Sequence, residues 1–282
     1  MKIILSRKGF DSSSGGVPSP IFPDGKILSL PIPDKNSKIP YNSILWNKTN
    51  IGNIVEDLTK GKQRADFFAH LDPDLNKSSM NRKKNWLPLF GQENAAQGHL
   101  RNQGVGKGDL FLFFGLFRDV IIKNNKTMFV PKSSQKHIIW GWFQIDNILK
   151  IDDIDPTKYP WATYHPHFHK SSHNTNMLYF AKKHLNIPGI RNQKISGAGI
   201  FQKFSKKLQL TADNSKSSLW KLPKWMFPEN GRTPLTYNKQ MEKWEKKKNH
   251  SLLQAAKRGQ EFVLDCNYYP EATEWIKNLL IE

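Results

Sequence analysis

Between Arg7 and Gly16 the chain reads RKGFDSSSGG, a run that mixes two cations and one carboxylate with three serines and three glycines. Arg7 and Lys8 suit phosphate oxygens, and glycine lets a backbone approach a ligand closely. Asp11, the one acid in the run, is the candidate general base. Phe10 offers a ring for stacking, and Ser12 a hydroxyl for substrate. The spacing fits neither a P-loop nor a dinucleotide fingerprint. The competing reading is an ordered turn in which Asp11 accepts hydrogen bonds from its own backbone.

Three further stretches carry related groups. FGQENAAQGHLRNQGVGKGD sets Gln92, Gln97, Asn102 and Gln103 among glycines. Amides pair donors with acceptors as base edges do, whereas Arg101 and Lys107 suit phosphates. Read as one long loop, this segment is suited to a base that has left its stack, and a merely well-bonded loop is the alternative. In YHPHFHKSSH the histidines at 165, 167, 169 and 173 cluster, and an extended backbone would put the first three on one face. Metal ligation is one use of such a cluster, but thiols and acids are missing nearby in sequence and no HExxH or CxxC occurs. His165 and His167 are therefore expected to hydrogen-bond sugar or phosphate, and no metal and no cofactor is assigned. In RGQEFVLD, Glu261 and Asp265 would face one way along a strand, as an acid–base pair or as partners for surface cations. The acids of HLDPDL, Asp72 and Asp74, cap a turn or sit in a pocket.

Composition narrows the partner. Lys plus Arg is 43 against 24 acids, a net charge of +19, which makes a polyanion the natural ligand and nucleic acid the leading one. Lys246, Lys247 and Arg258 join Arg7, Lys8, Arg101 and Lys107 as expected phosphate contacts. Nine Trp and 17 Phe exceed what a core requires, so Trp140 and Trp142 are expected to stack on bases. The single cysteine, Cys266, excludes an intrachain disulfide and fits a reducing cytoplasm. The longest apolar run, LFLFFGLF, is too short to span a membrane, and MKIIL too short for a signal peptide.

The elements that must position these groups read as α+β: one domain over residues 1–282, with a mixed or antiparallel β core and peripheral helices. MKIIL starts a strand, and KGDLFLFFGLFRDV with HIIWGWFQIDNI reads as an antiparallel pair covered on both faces. Their Gly-Asp start and internal glycine resemble the small barrels of the PUA-like group, which implies a barrel element. NIVEDLTK is a helix stopped by Gly61. The stripe Met241, Trp244, Leu252 and Ala255 predicts a cationic helix over 237–259. GQEFVLD is a strand, and PEATEWIKNLLIE a closing helix started by Pro270.

In order, LSRKGFDSSSGGVPSPIFPDGKILSLPIP, HLDPDL, FGQENAAQGHLRNQGVGKGDLFLFFGLFR, HIIWGWFQI, YHPHF, GAGIF and RGQEFVLD resemble the third family of nucleotide-modification-associated domains. The chain is also similar to prokaryotic antiviral DNA glycosylases that excise glucosylated hydroxymethylcytosine. The resemblance implies a glycosylase that flips a modified base out of phage DNA and leaves an abasic site, with Asp11 and Glu261 catalytic. It implies a pocket holding Gln92, Gln97, Asn102, Gln103, His165 and His167. A non-catalytic reader of modified bases and a metal-dependent nuclease are the alternatives.

Overall fold

The computed structural model describes residues 1–170, 174–188, 195–256 and 261–281. Its main sheet runs, edge to edge, through the strands Glu261–Asp265, Lys2–Arg7, Leu110–Lys123, Lys136–Lys150, Met177–Ala181 and Leu89–Gln92. Lys2–Arg7 pairs parallel to Leu110–Lys123 and antiparallel to Glu261–Asp265, and the other pairs along this path are antiparallel. The expected hairpin is present, with Leu110 opposite Gln144, Phe117 opposite Lys136, and a bulge between Ile139 and Gly141.

The run LFLFF is apolar throughout because its strand is covered twice. Phe111 and Phe113 face Phe90 at ring distances of 5.0 and 5.2 Å. Phe114, one residue on and therefore on the other face, packs on Trp220 at 5.1 Å and Phe262 at 6.2 Å. Burial of each such ring contributes roughly 1.5–3 kcal/mol. A second core of Phe10, Leu30, Tyr41, Ile51 and Val55 lies beneath the Pro-rich N-terminal segments, and a third surrounds Trp161.

No closed barrel forms among the described residues, which corrects the PUA-like expectation: Glu261–Asp265 and Leu89–Gln92 are opposite edges of the path. The sheet nevertheless curls until those edges meet through side chains, with the Gln92 amide donating to Glu261 at 2.5 Å. This curl creates the site described below.

Two element expectations are overturned. The segment predicted as a helix over 237–259 forms the strands Trp244–Lys246 and His250–Gln254, which pair with each other, and His250–Gln254 pairs in turn with Leu219–Pro223 in a separate three-stranded sheet. Burial there alternates, with Ser251, Leu253 and Ala255 inside and Gln254 outside, so period-two packing against Trp220 overrides the helix propensity of Lys and Glu. The presumed loop after Phe90 is a strand followed by the helix Asn94–Asn102, which buries Gln97 and Leu100. Gly98 and few apolar residues hide that helix from a periodicity reading. The helix Gly52–Thr59 ends as expected, with Lys60 left-handed and the Gly61 N–H bonded to the Glu56 carbonyl. Ala272–Leu280 closes the chain as a helix. No described helix is long and apolar enough to cross a membrane.

Candidate active site

The Asp11 stretch is an Asx turn built over a ring. One carboxylate oxygen of Asp11 accepts the Ser13 and Ser14 N–H groups, each at 2.8 Å, and the Ser13 hydroxyl at 2.7 Å. Gly15, at φ +83°, lies so close to Phe10 that a Cβ would stand 2.4 Å from the ring. Phe10 is fully buried, edge-on to Tyr41, and has no face left for a base, which corrects its assignment as a stacking residue. Arg7, Asp11, Ser13 and Ser14 line one wall of a cleft that Ser12 does not line.

The opposite wall comes from the curled sheet edge, through Gln92 and Glu93, and from the turn that carries His167 and Lys170. Behind it Glu261, 1% exposed, accepts from Gln92 and from Lys8 at 3.1 Å. Lys8 thus turns inward, over the Phe90 ring, rather than outward to a phosphate. Glu261 is not among the residues lining the cleft and bears on it through Lys8 and Gln92.

At the floor lies Asp72, a nearly buried carboxylate ringed by three histidines. The Gly91 N–H donates to its Oδ1 at 2.8 Å, and His165 Nε2 stands 3.3 Å from the same oxygen. His70 Nε2 and His167 Nε2 each stand 3.6 Å from its Oδ2. Burial opposes ionisation of Asp72, but the three imidazoles outweigh it and hold the carboxyl well below the ordinary range. Burial also opposes charge on His70, yet its contacts with Asp34 and Asp72 raise it. The same His70 contact holds Asp34 down at about 2. Burial pushes fully enclosed His165 down.

His165 and His167 reach Asp72 from a 3-10 turn, Pro166–His169, rather than from one face of a strand. His173 and Arg258 lie outside the described residues. Gly91 makes the arrangement fit, since a Cβ there would sit 2.3 Å from the His167 ring. His70, Asp34, Asn176 and this role of Gly91 escape a reading by motif. The one local signal was the His-x-Asp spacing of His70 and Asp72, which puts two side chains on one face of an extended segment.

Several other assigned residues lie away from this cleft. Gln97 is inside, accepting from the Tyr179 hydroxyl at 2.7 Å. Asn102 and Gln103 end the Asn94–Asn102 helix and do not line the cleft. Trp140 is 7% exposed and stacked on Phe113. Trp142 packs against Phe201 and donates its indole N–H to the Ser196 carbonyl. Lys107, Lys246 and Lys247 pair at the surface with Asp146, Glu229 and Glu245, and Arg101 is exposed on the Asn94–Asn102 helix. Asp74 is taken by a bidentate pair with Arg82 at 2.6 and 2.7 Å, so it is structural.

The family model for nucleotide modification associated domain 3 matches residues 2–265. The chain belongs to that family. The match takes in every segment that lines the cleft, from Arg7 to Lys170, and Glu261 behind it. No curated protein and no solved structure matches this nucleotide modification associated domain. Association with nucleotide modification, and with nucleic acid as the partner class, follows from membership and agrees with the net charge of +19.

Proposed function

We propose that this domain is a DNA glycosylase that takes up a modified nucleotide flipped from DNA and hydrolyses its N-glycosidic bond, removing hypermodified bases from phage DNA in antiviral defence. The observation that carries this reading is the cleft itself: Asp11 on the rim beside Arg7, above an Asp72 held ionised at the floor. Cleavage breaks the C1′–N bond through an oxocarbenium-like sugar. The water oxygen bonds to C1′, and one water proton leaves with the base. A carboxylate facing that sugar stabilises its charge and aims the water, and Asp11 has that place. Extruding the nucleotide costs a few kcal/mol of stacking and pairing, which contacts in the cleft must offset. Arg7 supplies positive charge for a flanking phosphate, and Lys170, paired with Glu93, would exchange that partner to join it.

The test is to incubate the protein with glucosylated phage DNA and with unmodified DNA, heat in alkali, and look for strand breaks and free base. Breaks confined to modified DNA, lost by about 10²-fold or more in Asp11→Asn with DNA affinity unchanged, support the proposal. Tight binding of modified DNA with no released base would make the protein a reader instead. A second reading, cleavage of the DNA backbone by a metal-dependent nuclease, is favoured by the convergence of His70, Asp72 and His167. It predicts breaks without alkali that stop in EDTA.

A further inference from the structure

Asp72 treats its two oxygens differently. Oδ1 faces donors. The Gly91 N–H is one, and His165 Nε2, which carries the ring hydrogen because Nδ1 accepts the His167 N–H, faces the same oxygen at 3.3 Å without forming a hydrogen bond. Oδ2 faces His70 and His167, whose tautomers are set from behind. His167 Nδ1 stands 2.6 Å from the Asn176 side-chain oxygen, and the Asn176 amide is held in that orientation by donating to the His167 carbonyl at 3.0 Å. His167 therefore carries its hydrogen on Nδ1 and turns the Nε2 lone pair toward Asp72. His70 Nδ1 stands 2.7 Å from an Asp34 carboxylate oxygen, which only accepts, so the neutral ring again points a bare Nε2 at Asp72.

When both rings are neutral, two lone pairs and a carboxylate oxygen converge, buried, and either a proton on His70 Nε2 or a metal ion fills the space between them. Such a group requires positive charge in its centre. The ligand atoms of His70, Asp72 and His167 all lie within 4.8 Å of one another, and both N···O separations are 3.6 Å. Donors about 2.1 Å from a tetrahedral ion stand roughly 3.4 Å apart. Carboxylate or amide partners on the outer ring nitrogens are the usual support of metal-binding histidines. Among the described residues no other group of histidines, cysteines and acids has this spacing.

We propose that His70 Nε2, Asp72 Oδ2 and His167 Nε2 bind one divalent transition-metal ion, with Asp34 and Asn176 orienting the two imidazoles. Two nitrogens and one oxygen suit Zn²⁺, Mn²⁺ or Fe²⁺ and disfavour Mg²⁺ and Ca²⁺, which take oxygen ligands. All three residues line the cleft, where a metal-bound water would become more acidic. The site lies at the floor of the same cleft but does not rest on the reaction proposed above, and its test reads metal binding and not DNA cleavage. A proton shared between His70 and Asp72 would fill the same gap, and the experiment separates the two.

The full chain, stripped with chelator and desalted, is titrated calorimetrically with Zn²⁺, Mn²⁺ and Mg²⁺. One equivalent of Zn²⁺ or Mn²⁺ should bind, and Mg²⁺ should not. His70→Ala and His167→Ala should each weaken binding by about 100-fold or more, Asn176→Ala by about 10–100-fold, and His250→Ala not at all. Failure of the unmodified chain to bind either ion stoichiometrically would overturn the proposal, as would binding indifferent to both ligand substitutions. Because a variant can fail to fold, crystals of the unmodified chain soaked in Zn²⁺ give an independent decision. An anomalous peak about 2.1 Å from both Nε2 atoms supports the site, and peaks only elsewhere reject it.

Discussion

The two carboxylates of the cleft are built in opposite ways. Asp11 is held by neighbours two and three residues along and remains partly exposed. Asp72 is held by Gly91, His165, His167 and His70, drawn from three separate segments, and is almost fully enclosed. A charge fixed by local bonds stays in reach of solvent and is free to act on a ligand at modest cost. A charge fixed by distant partners is bound into stability, so chemistry at the floor and integrity of the fold cannot be altered independently.

That contrast is open to direct challenge. Asp72→Asn should destabilise the protein by about 3–5 kcal/mol, the usual cost of removing one member of a buried charged set, measured by urea unfolding. If it costs no more than Asp11→Asn, the two acids are not different in kind. Gly91→Ala is next. Its Cβ would meet the His167 ring at 2.3 Å, so a loss of about 1–3 kcal/mol is expected. Gly98→Ala, in the middle of a helix with open space around it, should instead gain roughly 0.4–1 kcal/mol.

Acid sensitivity should map to a third place. Burial pushes His137 down to about 4, and its Nδ1 accepts the Trp220 indole N–H. A depressed histidine stabilises the fold above its unfolded pKa near 6.5, and that contribution fades as pH falls toward 4. Allowing for its partial exposure, a loss of about 1 kcal/mol is expected over this window. His137→Gln should flatten that part of the stability profile, and an unchanged profile would count against the assignment. The smallest stability effect belongs to Asp11→Asn, within about 0.5 kcal/mol, because an amide oxygen accepts the same turn hydrogen bonds. Its signature should be lost base excision at unchanged melting temperature, and a large drop in stability would show that the turn needs the charge.

Legibility from sequence follows the same division. The first strand, the Phe-rich hairpin, the helix Gly52–Thr59 and the closing helix each rest on a local apolar pattern with its own stop signals, and all are present. The Asn94–Asn102 helix and the Trp244–Gln254 hairpin were misread because their stability comes from packing across the chain and not from local propensity. Trp140, Trp142 and Gln97 have the right chemistry for nucleic acid and the wrong location: burial, which composition does not report, makes Trp140 and Gln97 interior residues, and Trp142 lies partly buried against Phe201.

By itself the sequence determined a basic α+β protein, its nucleotide-modification family, and a rim turn around Asp11, since charge, motif and short-range hydrogen bonding are properties of contiguous residues. Tertiary structure alone decided that opposite edges of one sheet curl together, that Gly91 leaves room for His167, and that His70 and Asp72 meet histidines from almost 100 residues away. Those contacts form because burying the aromatic interior bends the sheet, and nothing in the spacing of the residues along the chain encodes where the bend brings them.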